Sequence, residues 1–538
     1  MDRARLPLRL VACFSLVFVV GVLAIAWRRL AFPYDVEWME GGVLMQAERL
    51  ARGASAYPPP SATYVPYLYP PLYSWVVAAL GNVTGGISYA LARGVSAFAS
   101  ALTAALALRV VLRHTARWEF ALLTVGLCAA LYSFAGSFHD LVRPDALAMA
   151  LCMTAAVLAE RGSTWRLALA GALVAAACFA KQTSFVIGLG VLMAVHLTRD
   201  RRALAVVASA ALVTGLLAFA WWESATGGLF SFYVVKGHQA HRFYRDNFGF
   251  FFYRDALHLA PLLLVVPLVW LWRAKLSPAL PWLLLAHLGA TVVQRFVATS
   301  DLPHMYFRDL WYPHRAWGVV PVALLLVMGL AARGAGASGE AALSPASRYW
   351  GSLFVAAMLA SATGHATQWA FKNSLLPLAT LGVPFVLVAA HELVAAGAPR
   401  VSAQVALAFA IQFAMLAENP AHLTPSAGDR AAWDALKLRL AKVAGATMVL
   451  GHPRLSFELG QGEHLHGMGI ADLASMGGVP DLEGRLARHE WAAIVIDVDD
   501  GMGVPPVVAR YYRRSESLGG PPMKTGTLCR AGELWIPR

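Results

Sequence analysis

Charge is scarce in this 538-residue chain: Asp, Glu, Lys and Arg make up 14% of it, where a soluble domain carries roughly a quarter. Hydrophobic residues reach 58% and the mean hydropathy is +0.56, which excludes an ordinary soluble enzyme. Cysteine is sparse too. Cys13, Cys128, Cys152 and Cys178 sit in apolar runs and Cys529 stands alone near the end, so no disulfide framework is expected. No Walker loop or dinucleotide fingerprint lies between a strand and a helix, leaving ATP or NAD use without support. The histidines lack a compact metal-ligand spacing, and Asp497-Val-Asp499-Asp500-Gly501 lacks the distal Glu of an EF-hand loop and reads as a turn. No metal or other cofactor is assigned, a divalent cation being left open.

Apolar runs of membrane-crossing length recur along the chain. The first, Leu10 to Ala26, is followed by Trp27-Arg28-Arg29 in place of a small-residue cleavage site and reads as an uncleaved anchor. The net charge of +13 resides entirely in the apolar part. Residues 421–538 hold 13 basic and 13 acidic side chains, so the surplus is a topology signal and not a nucleic-acid footprint. Placing the arginine-rich loops in the cytoplasm gives spans near 8–27, 90–111, 118–135, 145–160, 166–180, 184–198, 203–222, 258–272, 280–297, 316–332, 350–366, 375–395 and 401–417. The expected fold is a mainly α, polytopic membrane bundle of about thirteen spans over 1–419. Residues 69–84, with Pro70 and Pro71, are expected to form a partial or interfacial helix.

After Pro420 the composition changes, and 420–538 is expected to form a small extracytoplasmic α/β domain. Trp433, Leu436, Leu440 and Val443 make an amphipathic stripe, while Thr447 to Leu450 and Ala492 to Ile496 read as short buried strands.

The expected topology gathers Asp35, Glu37, Glu40, His139, Asp140, Arg143, Asp145 and Lys181 on the outer face, with loops 223–257 and 298–315. Ionisable groups at membrane depth are costly and face one another, water or a substrate. Asp35 follows the first span directly and is the foremost candidate base. Its plainer reading is an interfacial cap. Arg143-Pro144-Asp145 opens another span and also reads as a cap with a structural ion pair. Lys181-Gln182 interrupts two apolar runs; a phosphate is the natural partner of such a lysine, and snorkelling the plain alternative. The loops Lys236 to Arg245 and His304 to Arg315 mix basic and aromatic residues, which suits phosphates and sugar faces and equally an interfacial belt.

Asp35-x-Glu37 after the first span, Tyr69-Pro70-Pro71-Leu72-Tyr73, Arg143-x-Asp145 and Lys181-Gln182, in that order, resemble the GT-C integral-membrane glycosyltransferases. The nearest branch is similar to the lipid A aminoarabinose transferase and protein O-mannosyltransferase group. The resemblance covers residues 1–220, and 220–420 by topology alone. It implies a polyprenyl-phosphate-linked sugar donor in the inner (plasma) membrane, a site on the extracytoplasmic side, and a glycan, lipid or protein acceptor. It implies Asp35 as base, Asp145 as second acid and Glu37 beside them, with Arg143, Lys181, Glu40, Tyr69, Tyr73, His139, Asp140 and Gln182 binding substrate. Where many relatives carry Lys or His before the paired prolines, this chain has Tyr69, so Arg143 or Lys181 has more of the phosphate to hold. A multi-span transporter or lipid flippase is the alternative. It is disfavoured by the absence of a second copy of either acidic motif, since transporters often carry internal repeats.

Overall fold

A computed structural model of the chain describes residues 5–251, 256, 262–263, 344–396, 399–499 and 503–538. The expected spans 280–297 and 316–332 and the loop His304 to Arg315 lie outside these residues, as does 258–272 apart from Leu262 and Leu263.

Where apolar residues run without a break, helices form. Leu6–Phe14 and Leu16–Leu30 make one continuous apolar stretch, and helices at Tyr89–Thr115, Trp118–Phe134, Asp145–Arg161, Thr164–Ala180, Ser184–Thr198 and Arg201–Ala225 follow. Pro345–Ala366, Leu376–Ala396 and Pro399–Leu416 complete the set among the described residues. Four of the described helical stretches are long and apolar enough to cross a membrane, or five if the pair bent by 53° after Leu416 is one span. The first of them turns Leu10, Phe14, Val17, Val20 and Leu23 outward, an apolar strip that water does not tolerate and lipid does. Inside the bundle the shared core is dominated by Ala, Leu, Val and Phe, with alanines at many contacts so that helix backbones approach closely. The Pro70-Pro71 stretch precedes a helix of 13 residues, Leu72–Thr84, ended by Gly85 at φ +86°. It is too short to cross a bilayer.

Beyond Leu416 the chain changes character. A capping box between Ser426 and Asp429 starts the helix Ala427–Leu440, which buries Trp433, Leu436 and Leu440. A four-stranded sheet follows, β1 (Thr447–Val449), β2 (Ala493–Val498), β3 (Tyr512–Ser517) and β4 (Arg530–Pro537), in the order β1-β2-β4-β3. β1 and β2 pair in parallel, and β4 runs antiparallel to both its neighbours.

This C-terminal unit packs onto the membrane helices' loops. Phe32, Tyr34, Val36, Phe138 and Leu141 share one core with Trp433, Leu436, Val449, Val495 and Met523. The segment between β3 and β4 sits directly on the first loop, where the Lys524 amide donates to the Val36 carbonyl at 2.9 Å. The Thr525 hydroxyl also donates to the carbonyl of Gly136.

Candidate active site

Between the bundle and the C-terminal unit lies a cavity of about 440 Å³. Its floor comes from the loop after the first helix, the Tyr67–Tyr69 segment, the start of the Asp145–Arg161 helix and Lys181. Its roof comes from residues 450–451, 467–474, 496–497 and 526–529.

Four charged residues form a chain along the floor. The Glu37 carboxylate meets Arg143 Nη1 at 3.4 Å, and Arg143 Nε lies 3.8 Å from Asp145 Oδ2. Asp145 Oδ1 pairs with Lys181 and accepts from Asn373 Nδ2 at 3.0 Å. Arg143 donates to the Tyr69 hydroxyl at 2.5 Å. Its guanidinium lies 5.1 Å from the Tyr69 ring centre and 5.5 Å from that of Phe138, which fixes its plane. The loop geometry follows from the sequence: Pro144 sits just before the helix that opens at Asp145 and sets the turn that throws Arg143 and Asp145 to the same side. Among the described residues, Arg143 Nε, Asp145 Oδ2 and the Tyr67 hydroxyl are buried without a hydrogen-bond partner. Orphaned polar atoms on a cavity wall are what a bound polar ligand would satisfy.

Burial pushes the Glu37 carboxyl up to about 7, against the pull of Arg143. A carboxyl poised there exchanges a proton readily at neutral pH. On the opposite wall His241 Nε2 lies 3.1 Å from Asp472 Oδ1, with His238 beside it. Burial pushes Asp472 up as well.

Of the candidates read from the sequence, Glu37, Tyr69, Arg143, Asp145 and Lys181 line this cavity. The others do not. Asp35 is turned into the wall, where its carboxylate accepts from the Tyr89 hydroxyl at 2.8 Å and meets His452 Nδ1 at 2.7 Å. Glu40 is buried against Arg93 at 2.6 Å and accepts from the Val36 and Val142 amides at 2.7 and 2.9 Å. Burial opposes its charge, but Arg93 and these amides hold the carboxyl below the usual range. Asp140 pairs with Arg29 at 3.0 Å, and His139 stacks on Tyr132. The Tyr73 hydroxyl donates to the Ala92 carbonyl at 2.8 Å, and Gln182 donates to the Leu68 carbonyl at 2.6 Å. These six are occupied with holding the walls. The cavity residues that the motifs did not point to are Asn373, His238, His241, Asp472 and Asp497. The basic, aromatic character of Lys236 to Arg245 was a signal for the two histidines; nothing in the local sequence marks Asn373 or Asp472.

No protein-family model matches the chain, and no curated protein matches it. Among solved structures, ArnT from Cupriavidus metallidurans bound to undecaprenyl phosphate is similar over 97% of both chains, at 14% identity and a TM-score of 0.42. The apo state of the same protein is similar over 97% of both chains, at 15% identity and 0.44. The archaeal oligosaccharyltransferase AglB from Archaeoglobus fulgidus, in complex with an inhibitory peptide and a dolichol-phosphate, covers 94% of this chain and 72% of its own at 11% identity and 0.45. ArnT, a lipid A aminoarabinose transferase, and AglB are both GT-C glycosyltransferases.

Proposed function

We propose that the protein is a glycosyltransferase that moves a sugar from a polyprenyl-phosphate carrier to an acceptor hydroxyl on the extracytoplasmic side of the inner membrane. The observation that carries this reading is the floor of the cavity. Two cations, Arg143 and Lys181, stand beside a carboxyl poised near neutrality, Glu37, above apolar helices. A cation pair on the cavity floor suits a lipid-borne phosphate, and a carboxylate with that pKa suits the acceptor proton. The ordered motifs of residues 35–182 point to the same chemistry.

In this mechanism the acceptor hydroxyl gives its proton to Glu37 as its oxygen attacks the anomeric carbon. The bond from that carbon to the phosphate oxygen breaks, and the electron pair leaves with the phosphate. Arg143 and Lys181 neutralise the departing charge, and Asp145 holds both cations in place. Attack opposite the leaving group inverts the anomeric centre, through a transition state with oxocarbenium character. The base is therefore Glu37 and not Asp35, whose oxygens are taken by Tyr89 and His452.

The test is a reconstituted assay in nanodiscs with undecaprenyl phosphate glucose and undecaprenyl phosphate arabinose. Release of free undecaprenyl phosphate from either, lost in Glu37→Gln, supports the reading. Movement of the intact lipid-linked sugar across a liposome membrane without cleavage would replace it with a flippase.

A further inference from the structure

The wall behind the cavity contains a second charged array that the transfer step above does not use. Asp35 Oδ2 lies 2.7 Å from His452 Nδ1, and on the far side of the ring His452 Nε2 lies 3.5 Å from Asp497 Oδ2. The three side chains are 3%, 0% and 5% exposed. Asp35 belongs to the loop after the first helix, His452 follows β1 and Asp497 lies in β2, so the array crosses from the membrane part to the C-terminal unit. Its outer end, Asp497, lines the cavity.

The packing around it leaves little freedom. The Trp433 ring stands edge-on to the imidazole, with centres 4.9 Å apart. Gly451 packs against the Asp497 carboxylate so closely that a side chain at 451 would displace it. Tyr89 holds the other oxygen of Asp35 at 2.8 Å.

The charges agree with the geometry. Burial alone would depress the imidazole, but Asp497, Asp35 and, at longer range, Glu37 outweigh it and hold His452 above the usual histidine range. Burial likewise pushes Asp35 up, against His452 and Tyr89, with Glu40 adding to the push. Glu40 is itself paired with Arg93. The ring therefore stands between two carboxyl groups, Asp35 on one nitrogen and Asp497 facing the other.

We propose that Asp497 is a sugar-contacting carboxylate of the cavity, and that His452 and Asp35 are positioning residues that fix its direction and charge. The sugar as ligand rests on the transferase reading; the three-residue unit does not. A carboxylate accepts hydrogen bonds from two ring hydroxyls at once, while the phosphate of the same donor lies with Arg143 and Lys181. Hydroxyl recognition is thereby assigned to the C-terminal unit and phosphate recognition to the membrane part.

Two measurements on the full chain in nanodiscs test this. In nitrogen-15 histidine spectra, the signal that disappears in His452→Gln is expected to stay protonated above the ordinary histidine midpoint of about 6.5. Its midpoint is expected to fall by about one unit in Asp35→Asn and in Asp497→Asn. A signal that titrates at the ordinary midpoint, or ignores Asp497→Asn, overturns the unit. In binding, Asp497→Asn is expected to weaken undecaprenyl phosphate glucose or arabinose about tenfold while leaving undecaprenyl phosphate unchanged, with partial recovery in Asp497→Glu. Equal loss for carrier and sugar-carrier, or no loss, overturns the sugar contact. If the wild type releases undecaprenyl phosphate and Asp497→Asn does so with the same KM, this proposal falls while the transferase reading stands. If the wild type binds neither sugar lipid, both the transferase reading and the sugar contact fall, and the ring signal alone decides the unit.

Discussion

Glu37 and Glu40 lie three residues apart, both buried and both facing an arginine, yet their surroundings are opposite. Glu40 accepts from Arg93 at 2.9 and 2.6 Å and from the Val36, Glu37 and Val142 amides at 2.7, 3.3 and 2.9 Å, so its oxygens have no capacity left. Glu37 accepts from the Met39 amide at 3.1 Å and has Arg143 at the longer distance of 3.4 Å, with the cavity in front of it. A carboxylate whose bonds are saturated is part of the architecture; one with spare capacity beside a hollow is available for chemistry.

The sharpest way to break this contrast is to remove each charge while keeping the shape. Glu37→Gln is expected to lower turnover roughly 10²- to 10⁴-fold with little change in thermal unfolding in detergent. Glu40→Gln leaves Arg93 buried without its counter-charge and is expected to cost about 3–5 kcal/mol of stability, seen as a lower unfolding temperature and poor recovery of folded protein. Were the two variants to exchange these phenotypes, the division would be wrong.

The pH profile sharpens the contrast further. Below a midpoint near 7, Glu37 holds its proton and cannot take another, so turnover should rise with pH through that point. Arg143→Ala removes the cation that pulls this carboxyl down, so the midpoint should move upward as well as the rate falling. The smallest effect is expected at the walls. Gln182→Ala deletes the bond to the Leu68 carbonyl and should cost about 1 kcal/mol in unfolding, with KM for the donor unchanged.

The sequence carried the helices and most of the floor. Apolar runs and the amphipathic stripe of Trp433, Leu436 and Leu440 declare themselves through period and composition, and Arg143, Asp145 and Lys181 stand out because charge is costly where they lie. That Asp35 turns away from the cavity was not legible, because its partner His452 lies 417 residues further along the chain. β3 was equally hidden: Arg513 and Arg514 are exposed on it, and a polar edge strand has no apolar alternation to give it away. Of the strands, the buried β1 and β2 were the readable ones.

Gly526 touches Glu37. The residue adopts φ +74°, and a methyl group placed on it would meet Glu37 Cγ at 2.8 Å. Alanine there would both resist the backbone conformation and press the acidic side chain toward Arg143. A position in the last third of the chain, on a segment without regular structure, thus sets the clearance around the proposed proton acceptor, and a screen of small residues at 526 offers a mechanical means of tuning its basicity.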